Sequence, residues 1–336
     1  MRVVTCAGVE AGAGTIMGDP RRGGSSPGLV RLPPSVPSRF RWTAVKMYLD
    51  LDPESTRNAS RVDVRSAPAW SILLPFFNER DYLPATIASL AVQSVPVRLI
   101  LIDNGSTDGS AAIARAACLN HGLDYLLITE PLPGKVAALR TGVGWVRTPL
   151  VATCDADTLY PPHYLASAEA ILAKPGCVAA GAYFVAPGAD EQTRRAVARL
   201  VLTVARLLPR QSHTGGAGQA FRTSALRAAG GFDADRWNYV LEDHEIVHRI
   251  MRSGTMDYAH DLWCAPSKRE RNRDSIRWTF FERLVYAVAA PKAGDWFFYS
   301  FLAARLKRRR LLSSRIRERQ YQYLEGPVLA PPHPVF

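Results

Sequence analysis

With 336 residues, 47% of them hydrophobic, the chain is not a disordered protein and has the material for one large core with appendages. Its formal charge of +12 is concentrated near the C-terminus, in Arg305, Lys307, Arg308, Arg309, Arg310, Arg315, Arg317 and Arg319; such a run suits phosphate and equally suits a solvated helix face. The five cysteines, Cys6, Cys118, Cys154, Cys177 and Cys264, show no C-x-x-C pair and fit a reduced cytosol, and no stretch of about 18 apolar residues supplies a conventional membrane span.

Residues 1–66 carry Gly and Pro clusters, Pro20 to Gly28 and Pro33 to Pro37, with little apolar periodicity, and are expected to be mostly disordered. They lack the charged start and apolar core of a secretory signal, and translation from Met47 is one expectation. From Trp70 short apolar runs alternate with amphipathic stretches. Strands are predicted over Ser71 to Leu74, Val97 to Ile102, Tyr125 to Ile128 and Leu150 to Cys154. Helices are predicted over Tyr82 to Val92, Ser110 to Asn120 and Lys135 to Val146, each opening near a Pro, Gly, Ser or Asp. Such β-α units predict an α/β fold with a parallel sheet, whose ligands sit beyond the carboxyl ends of the strands. Past Val185 the pattern weakens to a basic amphipathic helix from Glu191 to Leu208, a loop at Gly215 to Gly218 and a helix from near Glu242, read as an acceptor-side layer. Residues 267–336 read as a basic, aromatic-rich helical region broken at Pro291 to Gly294.

The strand ends carry the chemistry. Pro75-Phe76-Phe77-Asn78-Glu79, Asp103-Asn104-Gly105-Ser106-Thr107-Asp108-Gly109 and Asp155-Ala156-Asp157 follow three strands in succession. One carboxylate after a strand can be a helix cap, as Asp108 can, but three clusters at one sheet edge point to a nucleotide and a divalent cation. If 155–157 is extended, Asp155 and Asp157 face the same way and can present two carboxylates to Mg2+ or Mn2+, which would bridge diphosphate oxygens.

With Gly134-Lys135, Ala137-Ala138-Leu139 and Glu242-Asp243 added, the five motifs in this order resemble the family 2 glycosyltransferases over about residues 70 to 255. The resemblance implies a GT-A fold, Rossmann-like and mostly parallel, over residues 67–266. It implies an inverting transfer from a nucleotide diphosphate sugar, a UDP-sugar first and GDP-mannose second. Pro75, Asn78, Glu79, Asp103, Asn104, Lys135, Asp155 and Ala156 would line the nucleotide-sugar site, Asp157 with Asp155 would hold the metal, and Asp243 would be the catalytic base. Asn104 stands where the family often has a second Asp. The implied acceptor is a carbohydrate, a growing cell-envelope polysaccharide or a lipid-linked hydroxyl, and a polyprenyl-phosphate sugar synthase belongs to the same class.

One competing motif overlaps the last of these. His244-Glu245-Ile246-Val247-His248 matches H-E-x-x-H, which on a helix would make a zinc peptidase, although the extended pattern fails at Met251 and Gly254. His260 is a further candidate metal ligand. The aromatics Phe280, Phe281, Tyr286, Trp296, Phe297, Phe298 and Tyr299 beside the basic run suit either a packed core or an anionic membrane surface, with Lys268, Arg269, Arg271 and Arg273 available to a lipid phosphate. The expected setting is therefore cytoplasmic, with peripheral attachment at the inner membrane face as its extension. No nucleic-acid motif is present.

Overall fold

Trp70–Phe76 forms strand β1, and six of its seven residues are buried, as befits a central strand covered on both faces. The computed structural model describes residues 68–267 and 278–318; the N-terminal segment, the stretch holding Lys268 to Arg273, and Arg319 onward lie outside the described residues. β1 pairs in parallel with β2 (Val97–Asp103) and β4 (Leu150–Thr153), and β2 with β3 (Asp124–Thr129). Helices α1 (Leu83–Ala91), α2 (Ser110–Asn120) and α3 (Lys135–Trp145) lie between them in the chain. The register sets Phe76 opposite Asp103, and Asp103 opposite Thr129, so the polar segments after β1, β2 and β3 emerge along one edge.

The period-two alternation of β1 assigns its side chains to two layers. Ile72 and Leu74 pack with Leu83, Ile87 and Leu90 of α1, Cys118 of α2 and Tyr164 of α4 (Tyr164–Leu172). Leu73 packs on the other face with Val136 and Leu139 of α3 and with Ile246, Val247 and Ile250 of α7 (Glu242–Ile250).

The second half departs from a simple β-α repeat. The sheet order is β3-β2-β1-β4-β7-β6-β8-β5, where β5 is Thr158–Leu159, β6 Cys177–Phe184, β7 Gln219–Arg222 and β8 Thr255–Pro266. β7 runs antiparallel to both β4 and β6, and β5 antiparallel to β8, so the parallel expectation holds for the first four strands and the sheet as a whole is mixed. β6 is buried along nearly its whole length. Its Gly181 has a physical reason: a Cβ there would lie 2.3 Å from the Tyr258 ring. Helices α5 (Glu191–Leu207) and α6 (Thr223–Ala228) complete this half.

α8 (Phe280–Asp295), a π-helical turn (Trp296–Leu302) and α9 (Ala303–Arg308) form the C-terminal layer. The expected break falls at Ala293, whose φ and ψ are −131° and 34°. Tyr286, Phe297 and Phe298 are core, packed with Trp237, Leu302, Leu306 and Leu311. This layer is tied to α7 by Tyr299, which reaches a buried ion pair within that helix. Arg249 donates from Nε to Glu245 Oε1 at 2.7 Å and from Nη2 to Oε2 at 2.8 Å, and the Tyr299 hydroxyl donates to Glu245 Oε1 at 2.6 Å.

Arg249→Met would leave the Glu245 carboxylate buried with its main counter-charge gone, a change that costs about 3–5 kcal/mol in such pairs. A fall of that size in unfolding free energy, read by denaturant titration, is expected, with part of it recovered when Glu245→Gln is added.

Candidate active site

The loops after β1 and β2 are stitched to each other. Asn78, at φ 53°, accepts on Oδ1 from the Thr107 N–H at 2.9 Å, while its own N–H donates to Ser106 Oγ at 3.1 Å. The Glu79 N–H donates to Ser110 Oγ at 2.8 Å, and Asp103 Oδ1 accepts from the Ser106 N–H at 2.8 Å. Asp108 accepts from the Ser110 N–H at 2.9 Å at the start of α2 and from the Arg80 N–H at 3.2 Å, so it acts at the helix start and between the loops. Pro75, opposite Ile102, is the penultimate residue of β1, just before this segment.

Asn104 does not point outward as a free ligand. Its amide donates to the carbonyls of Glu130 at 2.9 Å and Leu132 at 2.7 Å, and its Oδ1 accepts from the Gly134 N–H at 2.9 Å. An aspartate could not supply those two donors. The asparagine therefore sets the loop that delivers Gly134 and Lys135 to the start of α3.

Lys135 is the centre of the site. Its Nζ lies 2.6 Å from Asp155 Oδ1, after β4, and 3.7 Å from Glu242 Oε1, at the start of α7. The adjacent Asp243 accepts on Oδ2 from the Gly216 N–H at 2.7 Å, and on Oδ1 from the His244 N–H and the His244 ring Nδ1, each at 2.8 Å. Gly216 packs closely here, since a Cβ would lie 3.2 Å from Lys135 Nζ and 3.4 Å from Asp243 Cβ. Burial alone would lower the Lys135 pKa, but the carboxylates of Asp155, Glu242 and Asp243 outweigh it and hold the ammonium above its ordinary value. Burial and the charge of Asp243 push Glu242 up to about 7 against the pull of Lys135. For Asp243 burial is overcome by His244, Lys135 and the Gly216 N–H, which bring it down to about 2.

Asp155-Ala156-Asp157 is not an extended segment; Ala156 and Asp157 form a turn, so the expected alternation does not apply. Asp155 turns to Lys135, and the Asp155 N–H donates to the Tyr160 hydroxyl at 3.0 Å, which in turn donates to the Ala217 carbonyl. The Ala156 carbonyl accepts from Thr86 Oγ1 at 2.9 Å. Asp157 is buried beside Ser267, whose Oγ is 3.3 Å from its Oδ2, and it lines a cavity of about 350 Å³ with Tyr82, Thr86, Leu159 and Pro187. Among the described residues no three or more His, Cys, Asp or Glu side chains form a metal-holding group. Two carboxylates are nonetheless a suitable donor set for Mg2+ or Mn2+, which complete their shells with water and phosphate oxygens.

The C-terminal layer reaches this site in a way that sequence reasoning missed. Ser313 Oγ accepts from the Val136 N–H at 3.3 Å, the Ser313 N–H donates to the Asn238 carbonyl at 3.0 Å, and the Leu311 carbonyl accepts from the Val240 N–H at 3.1 Å. Residues 311–313 thus clasp the start of α3 to the segment that leads into Glu242. Gly134, at φ 119°, leaves room for it, since a Cβ there would lie 2.8 Å from the Ser313 backbone.

The zinc-peptidase arrangement is not formed. Glu245, the base of that motif, is 1% exposed and held by Arg249 and Tyr299. His244 faces Asp243, whereas His248 Nε2 lies 2.7 Å from Asp295 Oδ1 with its ring stacked on Phe298. His260 is exposed on β8.

A family model described as glycosyl transferase family 2 matches residues 71–229. Residues 71–229 therefore form a glycosyl transferase family 2 domain. The family 2 match runs from β1 to the end of α6, and Glu242, Asp243 and Ser313 lie beyond it. An uncharacterised glycosyltransferase of Mycobacterium tuberculosis is 37% identical over 89 residues, 26% of this chain and 37% of its own. An undecaprenyl-phosphate 4-deoxy-4-formamido-L-arabinose transferase of Serratia proteamaculans is 34% identical over 98 residues, 28% of this chain and 30% of its own. The chain therefore spans only about a third of these curated relatives. A mannosyltransferase of Pyrobaculum calidifontis, solved in complex with GDP-Man and Mn2+, superposes with a TM-score of 0.53 at 21% identity, covering 70% of this chain and 66% of that one. The family 2 domain thus has the GT-A fold expected from its motifs.

Two outcomes follow for this site. Gly134→Ala is expected to cost about 1–3 kcal/mol of stability, since a side chain at that φ is strained whatever the space, and thermal unfolding reads it directly. The folded-state pKa of Glu242, about 7, lies above its ordinary 4.5, so its favourable contribution is complete below pH 4.5 and is lost as pH rises through 7. Glu242→Gln is therefore expected to be more stable than the native chain in denaturant titrations at pH 8, the difference shrinking as pH falls towards 4.5.

Proposed function

We propose that this chain is an inverting glycosyltransferase that moves a sugar from a nucleoside diphosphate donor to an acceptor hydroxyl. The observation that carries the reading is the junction at Lys135, which gathers Asp155 and the Glu242-Asp243 pair around one ammonium. In this reading the segments around Pro75, Asn78, Glu79 and Asp103 receive the nucleoside, with Asn104 positioning the loop that brings Lys135 to the diphosphate. Asp155 and Asp157 would hold Mn2+ or Mg2+, which when bound supplies positive charge against the departing diphosphate.

Asp243, already ionised and oriented by the Gly216 N–H and His244, takes the proton of the acceptor hydroxyl as that oxygen attacks the anomeric carbon. Attack comes from the face opposite the diphosphate, and configuration inverts. Lys135, freed from Asp155 by the incoming diphosphate, stays as a counter-charge to the leaving group. UDP-sugars and GDP-mannose are the donors to test first; a relative named for undecaprenyl phosphate and a neighbour solved with GDP-Man and Mn2+ support a polyprenyl-phosphate or other lipid-linked acceptor and a mannosyl donor as candidates.

The test is a panel of UDP- and GDP-sugars with Mn2+ or Mg2+, following nucleotide release. Asp243→Asn is expected to lower turnover by about 10²–10⁴-fold with nucleotide affinity retained, as removal of a general base does. Asp157→Ala is expected to weaken the response to metal. Native turnover in Asp243→Asn removes Asp243 from the mechanism.

A further inference from the structure

α8 has two faces of unlike fate. Tyr286 and Ala290 enter the C-terminal core, and Glu282 is fully buried, accepting from Arg305 Nε at 2.9 Å with Arg309 also against it. On the other side Phe280, Leu284 and Val288, spaced four residues apart and therefore on one stripe, are 84%, 52% and 76% exposed. Phe281, 53% exposed, continues the patch sideways: its ring centroid is 6.0 Å from Phe301, which is 5.5 Å from the half-exposed Trp296. The Arg305 guanidinium lies 5.5 Å from the Phe281 centroid and 5.6 Å from that of Phe301. The rings therefore form one apolar ridge across α8 and the π-helical turn, and a contiguous ridge of this kind marks a docking surface.

Charge names the occupant. Residues 278–315 hold eight Lys and Arg against two acidic side chains, Glu282 and Asp295. Both acids are occupied, Glu282 by Arg305 and Arg309, and Asp295 by His248 and Arg252. Arg283, Lys292, Lys307 and Arg308 are exposed on the same layer. A second copy of so cationic a layer would repel the first, and the preceding residues 268–277 contain a single aliphatic residue, Ile276, with which to cover the ridge. A nucleic acid would find aliphatic Leu284 and Val288 where it needs stacking rings. No helix of the described residues is long and apolar enough to cross a membrane, so α8 can at most lie along one.

We propose that the ridge of Phe280, Phe281, Leu284, Val288 and Trp296 docks this chain on the anionic surface of a lipid bilayer. The aromatic and aliphatic side chains enter the headgroup and acyl boundary, and the surrounding Lys and Arg side chains meet lipid phosphates. The proposal goes beyond the sugar-transfer reading and does not depend on it.

Flotation of the full chain with vesicles tests it, comparing phosphatidylglycerol-containing vesicles with pure phosphatidylcholine. The native chain is expected to float with the anionic vesicles at low salt, and to keep part of that binding at high salt, because the apolar share is not screened. Phe280→Ser with Leu284→Ser and Val288→Ser should weaken vesicle binding by at least about ten-fold, given the burial each side chain offers. These positions are exposed, so the unfolding temperature and nucleotide binding should stay native. Lys292→Glu with Lys307→Glu and Arg308→Glu should remove the preference for anionic lipid. Failure of the native chain to float overturns the proposal, as does a serine variant that floats as well as the native chain. A concentration-dependent dimer that the serine variant abolishes also overturns it, by assigning the ridge to a second copy. A chain that turns over sugar nucleotides yet ignores vesicles separates this failure from failure of the proposed function.

Discussion

The ammonium of Lys135, held between the carboxylate that follows β4 and those that open α7, is the contact on which the site depends. Without it Asp155, Glu242 and Asp243 would be like charges gathered in a poorly solvated space, a configuration that fails by repulsion and desolvation together. Its position is set in steps. The register of β1 and β2 fixes Asn104, whose side chain captures the Gly134 N–H, and Gly134 begins the turn of helix that carries Lys135. The clasp of Ser313 on Val136 then locks that helix start to the segment before Glu242. A small error at Asn104 is thus transmitted to an ion pair at the far end of the chain of contacts.

Legibility in the sequence follows locality. β1 to β4 and α1 to α3 are readable because each is a single run with its own period, and α2 spans the same residues in prediction and structure. β6 is hidden because Cys-Val-Ala-Ala-Gly-Ala offers a single branched residue, Val178, among small ones; the small Gly181 answers to the neighbouring Tyr258 and Met256, which no local window contains. β7 is only four residues long, and the pairing of β8 with β6 is interrupted by two register shifts. At the site, the motifs after β1, β2 and β4 are local and were visible, whereas Ser313, 177 positions from Val136, left no sequence signal. Spacing by two implies a shared face only in an extended segment, and because Ala156 and Asp157 turn, alternation is not what relates Asp155 to Asp157.

H-E-x-x-H shows the same limit from the other side. The spacing is genuine and lies on a genuine helix, but the burial of Ile246, Val247 and Ile250 fixes the rotation of α7. That rotation sends Glu245 inward to Arg249, leaving His244 to Asp243 and His248 to Asp295. A metal motif requires side chains that converge, and here the core chose where they point.

The neighbouring acids Glu242 and Asp243 are pushed in opposite directions, and pairs so separated commonly divide acid and base roles. On proton affinity alone Glu242, near neutrality, would be the better-matched base. Geometry argues for Asp243, whose carboxylate is aimed by the Gly216 N–H and by both donors of His244. The low proton affinity of Asp243 comes first from His244 and then from Lys135, in the arrangement where that lysine leans on Asp155 and the acids beside it. In the proposed reaction a diphosphate draws that ammonium away and brings negative charge of its own, and both changes raise the basicity of Asp243 as the acceptor arrives. The same lysine that keeps the acids apart in charge before binding would then help the weaker base become an effective one.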